Sequence, residues 1–278
     1  MKTYLLKLQS LGVGVGLKLG AVMVLSMFAW TTASAQVALT KHNLGSTGVV
    51  TTPIGNTYDG TTEVCVFCHT PHGADSSAAV PLWNKNLALQ TGPYVTYDSL
   101  GTSSLDGDIA LVGSVSIACL SCHDGTQAMD AVLNAPGSGD TDADYTAGNW
   151  TGGNQTLGRL TGIANLGIDL SDDHPIGIQY GGGGLTDSAP SGTTTDRDFR
   201  PTSTANLNGT QVWWVDTAGG TTDFREKEDM QLYTRTLAAV VQPFVECASC
   251  HDPHSDANDM FLRIPNTGSA VCLACHIK

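Results

Sequence analysis

Every cysteine in this chain is spent on one repeated spacing. Cys65-Val66-Phe67-Cys68-His69, Cys119-Leu120-Ser121-Cys122-His123, Cys247-Ala248-Ser249-Cys250-His251 and Cys272-Leu273-Ala274-Cys275-His276 are four copies of CxxCH, and they use all eight cysteines of the 278 residues. Two thiols separated by two residues can add to the two vinyl groups of one haem. The histidine beside the second thiol then stands under the iron as its proximal ligand. A lone CxxCH also suits a redox dithiol, and two CxxC pairs suit zinc. Neither requires a histidine in that position four times in four. The spacing predicts four covalently attached c-type haems, carried on Cys65/Cys68, Cys119/Cys122, Cys247/Cys250 and Cys272/Cys275, with His69, His123, His251 and His276 as proximal iron ligands.

The chain has eight histidines, and those four account for half of them. The others are His42, His72, His174 and His254, one for each remaining iron face. Imidazole on both faces gives a low-spin iron that exchanges electrons with little rearrangement and leaves no vacant site for a substrate; axial ligation, burial and nearby charge then set its potential. Three residues separate His72 from His69 and span at most about 10 Å. Two histidine Cα atoms on opposite faces of one iron should stand roughly 12 Å apart, since each metal–nitrogen bond adds about 2 Å to the side-chain reach. His72 is therefore expected to serve a neighbouring haem rather than its own. His254 repeats the arrangement after His251, and Pro71 and Pro253 stiffen both segments. His174 lies in Asp172-Asp173-His174-Pro175, where the proline favours an extended backbone and either aspartate is open as a partner for the imidazole. His42 stands near the start of the mature chain, behind a Thr/Gly-rich stretch. Such a ligand can fold back onto its own protein or reach into the next molecule; a head-to-tail contact that does not close produces a filament.

The amino terminus reads as a targeting segment. Lys2 and Lys7 are basic, residues 19–30 are mostly apolar, and Ala33-Ser34-Ala35 is a small-x-small cleavage pattern before Gln36. Residues 1–35 are thus a signal peptide and residues 36–278 the mature unit, exported and soluble or held outside by partners. A formal net charge of -13 argues against binding nucleic acid or an anionic membrane, since phosphate attraction needs concentrated Lys and Arg. With 32 glycines and few large apolar side chains, the chain lacks an ordinary hydrophobic core. The expected fold is a multihaem cytochrome c, mostly coil with short helices and few strands, organised around stacked haems as one unit.

Within it, the haem regions are 65–123 and 247–276, and 134–221 is a Gly/Thr-rich elaboration. Short helices are expected at 117–123 and 272–276, because CxxCH needs about a turn of helix to present its groups. Val212-Trp213-Trp214-Val215 reads as a strand, its tryptophans either stacking near a haem or burying ordinary apolar surface. Residues 226–245 read as a helix, with Met230, Tyr233, Leu237, Ala238 and Val241 on one stripe, ended or kinked by Pro243. Asp140, Asp142 and Asp144 alternate in a glycine-rich loop and read as solvated surface. Sequons at Asn149, Asn154 and Asn208 are short enough to be fortuitous.

Cys65-Val66-Phe67-Cys68-His69-Thr70-Pro71-His72-Gly73-Ala74, Cys119-Leu120-Ser121-Cys122-His123-Asp124-Gly125-Thr126 and Ser171-Asp172-Asp173-His174-Pro175-Ile176-Gly177 resemble segments of multihaem c-type cytochromes of metal-respiring bacteria. Count, order and spacing are most similar to the tetrahaem outer-surface cytochromes that polymerise into extracellular nanowires, the outer-membrane cytochrome E type. The resemblance spans roughly 42–276 and is weakest across 134–170 and 181–225. It implies haems stacked in a continuous chain, identical subunits joined head to tail, and His42 as the candidate cross-subunit ligand. It also implies electron transfer from outer-membrane or periplasmic cytochromes to an extracellular acceptor. A monomeric periplasmic shuttle, a multihaem reductase with one open iron and a haem-stiffened structural fibre are the competing readings.

Overall fold

In the computed structural model the chain divides into Met1–Ala35 and Gln36–Lys278. The structure describes residues 36–48, 55–89, 92–136, 143–217 and 224–277. The expected signal peptide and Asp140 and Asp142 lie outside them. Among the described residues no helix is long and apolar enough to cross a membrane.

Helices are few and short: Ser116–His123, Ala143–Thr146, Cys247–Cys250 and Ala270–Cys275. Strands are more prominent than the composition suggested. Two minimal antiparallel ribbons pair β1 (Thr57–Tyr58) with β2 (Trp150–Thr151) and β3 (Gln155–Thr156) with β4 (Arg159–Leu160). The main sheet is antiparallel and five-stranded. Its members are β5 (Ile178–Gln179), β6 (Ser203–Leu207), β7 (Thr210–Val215), β8 (Met230–Leu237) and β9 (Val240–Val245), in the spatial order β5-β9-β8-β7-β6.

The helix expected over 226–245 is instead the hairpin β8–β9, with Thr234 opposite Pro243 and Leu237 opposite Val240. Period two wins over period 3.6 here. Met230 and Leu232 are buried while Gln231 and Tyr233 are only partly so, and Thr234, Thr236, Val240, Val241 and Val245 are β-branched, which suits a pleated surface. The turn is Ala238-Ala239, both left-handed at φ 49° and 65°, the backbone that a two-residue hairpin loop requires. Pro243 sits inside β9 because pairing with β5 stops at Phe244, so no ladder donor is missing at that point.

Packing explains the sheet's position. Trp213, Val215, Met230, Leu232 and Val245 form one core with Tyr180, Leu185 and Ala274, and Cys250 and Cys275 pack against it. The third and fourth haem motifs therefore rest on the sheet. Both tryptophans of the expected strand are essentially fully buried. The Trp213 Nε1 donates to the Pro190 carbonyl at 2.8 Å and the Trp214 Nε1 to Asp216 Oδ1 at 2.7 Å. A second core, Leu44, Tyr58, Val66, Phe67, Met129, Tyr145 and Leu160, carries Cys68 and Cys122 on its edge. A third is formed by Ala78, Trp83, Leu87 and Ala118, again with Cys68 beside it. The 134–221 elaboration is built into these cores and supplies β2 through β7.

One buried polar knot ties the second haem motif to the third. Glu246 accepts from Ser116 Oγ at 2.5 Å and from Arg235 Nη1 at 3.0 Å, while Ser116 Oγ accepts from the Cys247 backbone N–H at 3.0 Å. Glu246 also forms a capping box with Ser249 at the start of the Cys247–Cys250 helix. Burial holds its carboxyl above the usual range, with Ser116 and Arg235 pulling the other way. Its side chain is 0% exposed and that of Arg235 16%. Glu246→Ala should cost about 3 kcal/mol, the low end for breaking a buried pair, because Arg235 retains a hydrogen bond to the Leu111 carbonyl. Denaturant midpoints of the two proteins check this.

Candidate haem sites

Each CxxCH is wound into about a turn of helix, which places both thiols and the imidazole on one side. In the first motif the His69 N–H bonds the Cys65 carbonyl at 2.8 Å; the corresponding bonds run from His251 to Cys247 at 3.2 Å and from His276 to Cys272 at 2.9 Å. The second motif lies wholly inside the Ser116–His123 helix. No two of the eight cysteines are joined in a disulfide. Burial pushes the Cys68 and Cys275 thiols up to about 12 and Cys250 to about 11. Cys119, hydrogen-bonded with Cys247 and buried, is also raised, and Cys247 is lowered by the same contact. The second and third motifs are joined by the Cys247 N–H to Ser116 Oγ bond at 3.0 Å.

The proximal rings are oriented by main-chain carbonyls. Nδ1 of His69 lies 2.8 Å from the Pro81 oxygen, Nδ1 of His123 2.7 Å from that of Ala164, and Nδ1 of His251 2.7 Å from that of Met260. A carbonyl only accepts, so Nδ1 carries the proton and Nε2 keeps the lone pair that a metal needs.

Two of the other histidines face proximal ones. The ring centres of His69 and His254 are 6.2 Å apart and inclined by 16°, and those of His42 and His123 are 6.2 Å apart and inclined by 73°. Two imidazoles bonded to one metal at about 2.0–2.1 Å place their ring centres roughly 6 Å apart. The residues present thus fit an iron with two axial imidazoles at these two positions. His254 faces the first motif, not its own His251, as the short His251–His254 segment requires. For His42 the alternatives are a fold-back onto its own chain and a reach into the next molecule. The candidate ligand for a neighbouring subunit is turned into its own chain, where it stacks on Phe261 at 4.2 Å and 14° and donates from Nδ1 to the Pro253 carbonyl at 3.0 Å. Burial, opposed in part by that hydrogen bond, lowers it to about 4, and burial lowers His123 as well. Both rings are therefore held neutral, the form that ligates.

His72 and His174 are exposed. The His72 carbonyl accepts from Thr70 Oγ1 at 3.0 Å and Asn134 Nδ2 at 2.9 Å, which fixes its backbone. Nδ1 of His174 meets the Pro175 carbonyl at 3.0 Å, so its ring is oriented by backbone and not by Asp172 or Asp173. Burial and the Asp172 and Asp169 charges raise Asp173. Beside His254, the Asp252 carboxylate stands 3.7 Å from Nδ1.

Large apolar side chains lie exposed next to these ligands: Leu39 near His42, Leu82 after the Pro81 carbonyl, Ile163 beside Ala164, Met260 at His251, and Leu273 and Ile277 around His276. An apolar macrocycle is the kind of partner such rims suit. Among the described residues no group of three or more His, Cys, Asp or Glu is arranged to hold a metal ion. A porphyrin supplies its own equatorial nitrogens and asks the protein for two ligands.

Sequence reasoning missed Phe261, and it missed the carbonyls of Pro81, Ala164, Met260 and Pro253. The carbonyls have no side-chain signature. Met260 and Phe261 adopt left-handed backbone at φ 57° and 62°, a conformation rare for such residues. This turn aims the Met260 oxygen at His251 and the Phe261 ring at His42.

These features suit covalent attachment of c-type haem and are consistent with an electron-transfer protein. Residues 242–278, which enclose the third and fourth motifs, match the family described as Doubled CXXCH motif (Paired_CXXCH_1). No curated protein matches the chain.

Proposed function

We propose that the mature chain carries four c-type haems, one on each CxxCH, and passes electrons along them. The observation that carries this reading is the pair of facing imidazoles 6.2 Å apart at the first and second motifs. Haem iron held between two imidazoles changes between ferric and ferrous states with little change in geometry. This chain contributes the thioether cysteines, oriented imidazoles, and the knot around Glu246 that fixes motif two against motif three. The bonds that join Ser116 to Glu246 and to the Cys247 N–H support close spacing of the two central haems.

The finer reading is an exported protein acting outside the cell as the subunit of a head-to-tail filament, fed by outer-membrane or periplasmic cytochromes and discharging to an extracellular acceptor. It rests on the resemblance of the haem segments and on the leader before Gln36. With His42 turned inward, exposed His72 and His174 are the histidines placed to reach a neighbouring copy. A monomeric periplasmic shuttle is the second reading, and the inward position of His42 is what favours it.

Covalent haem per chain, measured by intact mass and by pyridine haemochrome absorbance, should be four. A cryo-EM map of native material should show filaments with a continuous file of haems. A uniform population of isolated particles would establish the shuttle instead.

A further inference from the structure

The geometry points to a crossed assignment of iron ligands within one chain: His254, from the segment after the third motif, is the distal ligand of the haem on Cys65/Cys68, and His42, from the amino-terminal arm, is the distal ligand of the haem on Cys119/Cys122. This rests on the tetrahaem reading above and says which residue completes which iron.

Three observations converge on His42. Its ring centre stands 6.2 Å from that of His123. Its Nδ1 is committed to the Pro253 carbonyl, as Nδ1 of His123 is to that of Ala164, so both rings keep Nε2 for a metal. Phe261 stacks flat on the His42 ring at 4.2 Å, and the arm behind it is tied down rather than loose. Thr40 and Asn43 are buried, the His42 N–H bonds Thr40 Oγ1 at 3.1 Å, Asn43 Nδ2 donates to the Ala38 carbonyl at 2.9 Å, and Leu44 belongs to the second core. For His254 the distance to His69 is again 6.2 Å. The backbone of its segment is fixed by its N–H to Asp252 Oδ1 at 3.0 Å and by the Asp252 N–H to the Phe261 carbonyl at 2.8 Å.

The two assignments share one support. Residues 252–254 supply both His254 and the Pro253 carbonyl that orients His42, and the Met260-Phe261 turn holds that segment while stacking on His42. A single loop after the third motif thus sets the distal ligands of the first two haems. Phe261 is a positioning residue in this scheme.

The inclinations of the paired rings give each iron its own signature. Axial imidazoles near perpendicular produce a strongly anisotropic low-spin electron paramagnetic resonance signal with a large maximal g value, and near-parallel rings produce an ordinary rhombic one. With 73° at His42/His123 and 16° at His69/His254, the two haems should be distinguishable in the oxidised holoprotein.

His42→Ala in the full holoprotein should convert one haem to high spin, remove the large-g signal and spare the rhombic signal from the first motif; added imidazole should restore low spin. His254→Ala should do the reverse. Phe261→Ala should give a partial high-spin fraction at the second haem, and Phe261→Tyr should recover the parent spectrum. Because both ligands act within one chain, dilution to isolated subunits should leave the first two haems low spin. An unchanged spectrum in His42→Ala, or a high-spin haem appearing on dilution with loss of the large-g signal, overturns the assignment of His42; an unchanged spectrum in His254→Ala overturns that of His254. Haem counting separates this from the broader reading: a haem missing from motif three or four overturns the tetrahaem function but not the crossed pairs, whereas one missing from motif one or two overturns both.

Discussion

A chain whose eight cysteines are all replaced by alanine is expected to lose its fold outright, giving a coil-like far-ultraviolet circular dichroism spectrum and rapid proteolysis along its length. The apolar core is divided into clusters of eight, seven and four buried residues, too small and too separate to organise the long unit from Gln36 to Lys278. Ordering each residue costs about 1–2 kcal/mol of backbone entropy, and burying a Leu- or Phe-sized side chain returns only about 1.5–3 kcal/mol. Most residues here are polar or glycine and return nothing of that kind. The clusters are also edged by the motifs themselves: Cys250 and Cys275 border the first, Cys68 and Cys122 the second, and Cys68 the third. Exposed Leu39, Leu82, Ile163, Met260 and Leu273 surround the histidines, where an apolar partner would cover them. Haem is therefore expected to act as core. A cysteine-free chain that kept native dichroism and protease resistance would show that side-chain packing suffices, and the haem-core account would fall.

What the sequence revealed follows the range of its signals. CxxCH is local, so the helical turns at the motifs were readable from spacing. The short His251–His254 segment gave a distance limit, and His254 stands against His69 instead. The Val212-Trp213-Trp214-Val215 strand was readable because β-branched and aromatic residues cluster there. The hairpin after it was not, because Met230, Tyr233, Leu237 and Val241 satisfy a helical stripe about as well as an alternating one. Ala238-Ala239 has none of the Asn or Gly that usually marks such a turn. Partners for His42 were unreadable in principle. Its Nδ1 finds a carbonyl at Pro253 and its face finds Phe261, both more than two hundred residues away and neither bearing a motif. Even the sheet is non-local, since β5 reaches β9 across the whole of β6 to β8.

Lys85→Met is expected to lower stability by about 2–6 kcal/mol, the cost of two buried carbonyls left without a donor. The Lys85 side chain is completely buried, and its Nζ donates to the carbonyls of Ala128, Met129 and Ala131 at 2.9, 2.9 and 3.1 Å. An ammonium has three donors, and here each meets one acceptor. Methionine keeps the length and most of the volume of the stem but leaves the Met129 and Ala131 carbonyls without their donor, at about 1–3 kcal/mol for each that water cannot reach, while the Ala128 carbonyl keeps the Ala131 N–H at 3.1 Å. Arginine should not rescue, because its flat fork cannot converge on three oxygens from one point. The carbonyl loop follows the His123 helix and carries Met129, whose side chain is in the second core and whose N–H bonds the Gly158 carbonyl at 2.7 Å. Asn84, next in sequence to Lys85, fixes the far side through Val66 and Asn134. Residues 84 and 85 thus pin the first motif to the loop after the second, and hydrogen exchange should rise at the Met129, Ala131 and Leu133 amides before the sheet is affected. Thioether bonds survive unfolding, so covalent haem content should stay constant while the denaturant midpoint falls. A midpoint that moved by less than the equivalent of about 1 kcal/mol would mean that water reaches those carbonyls, because surface-like substitutions cost no more than that.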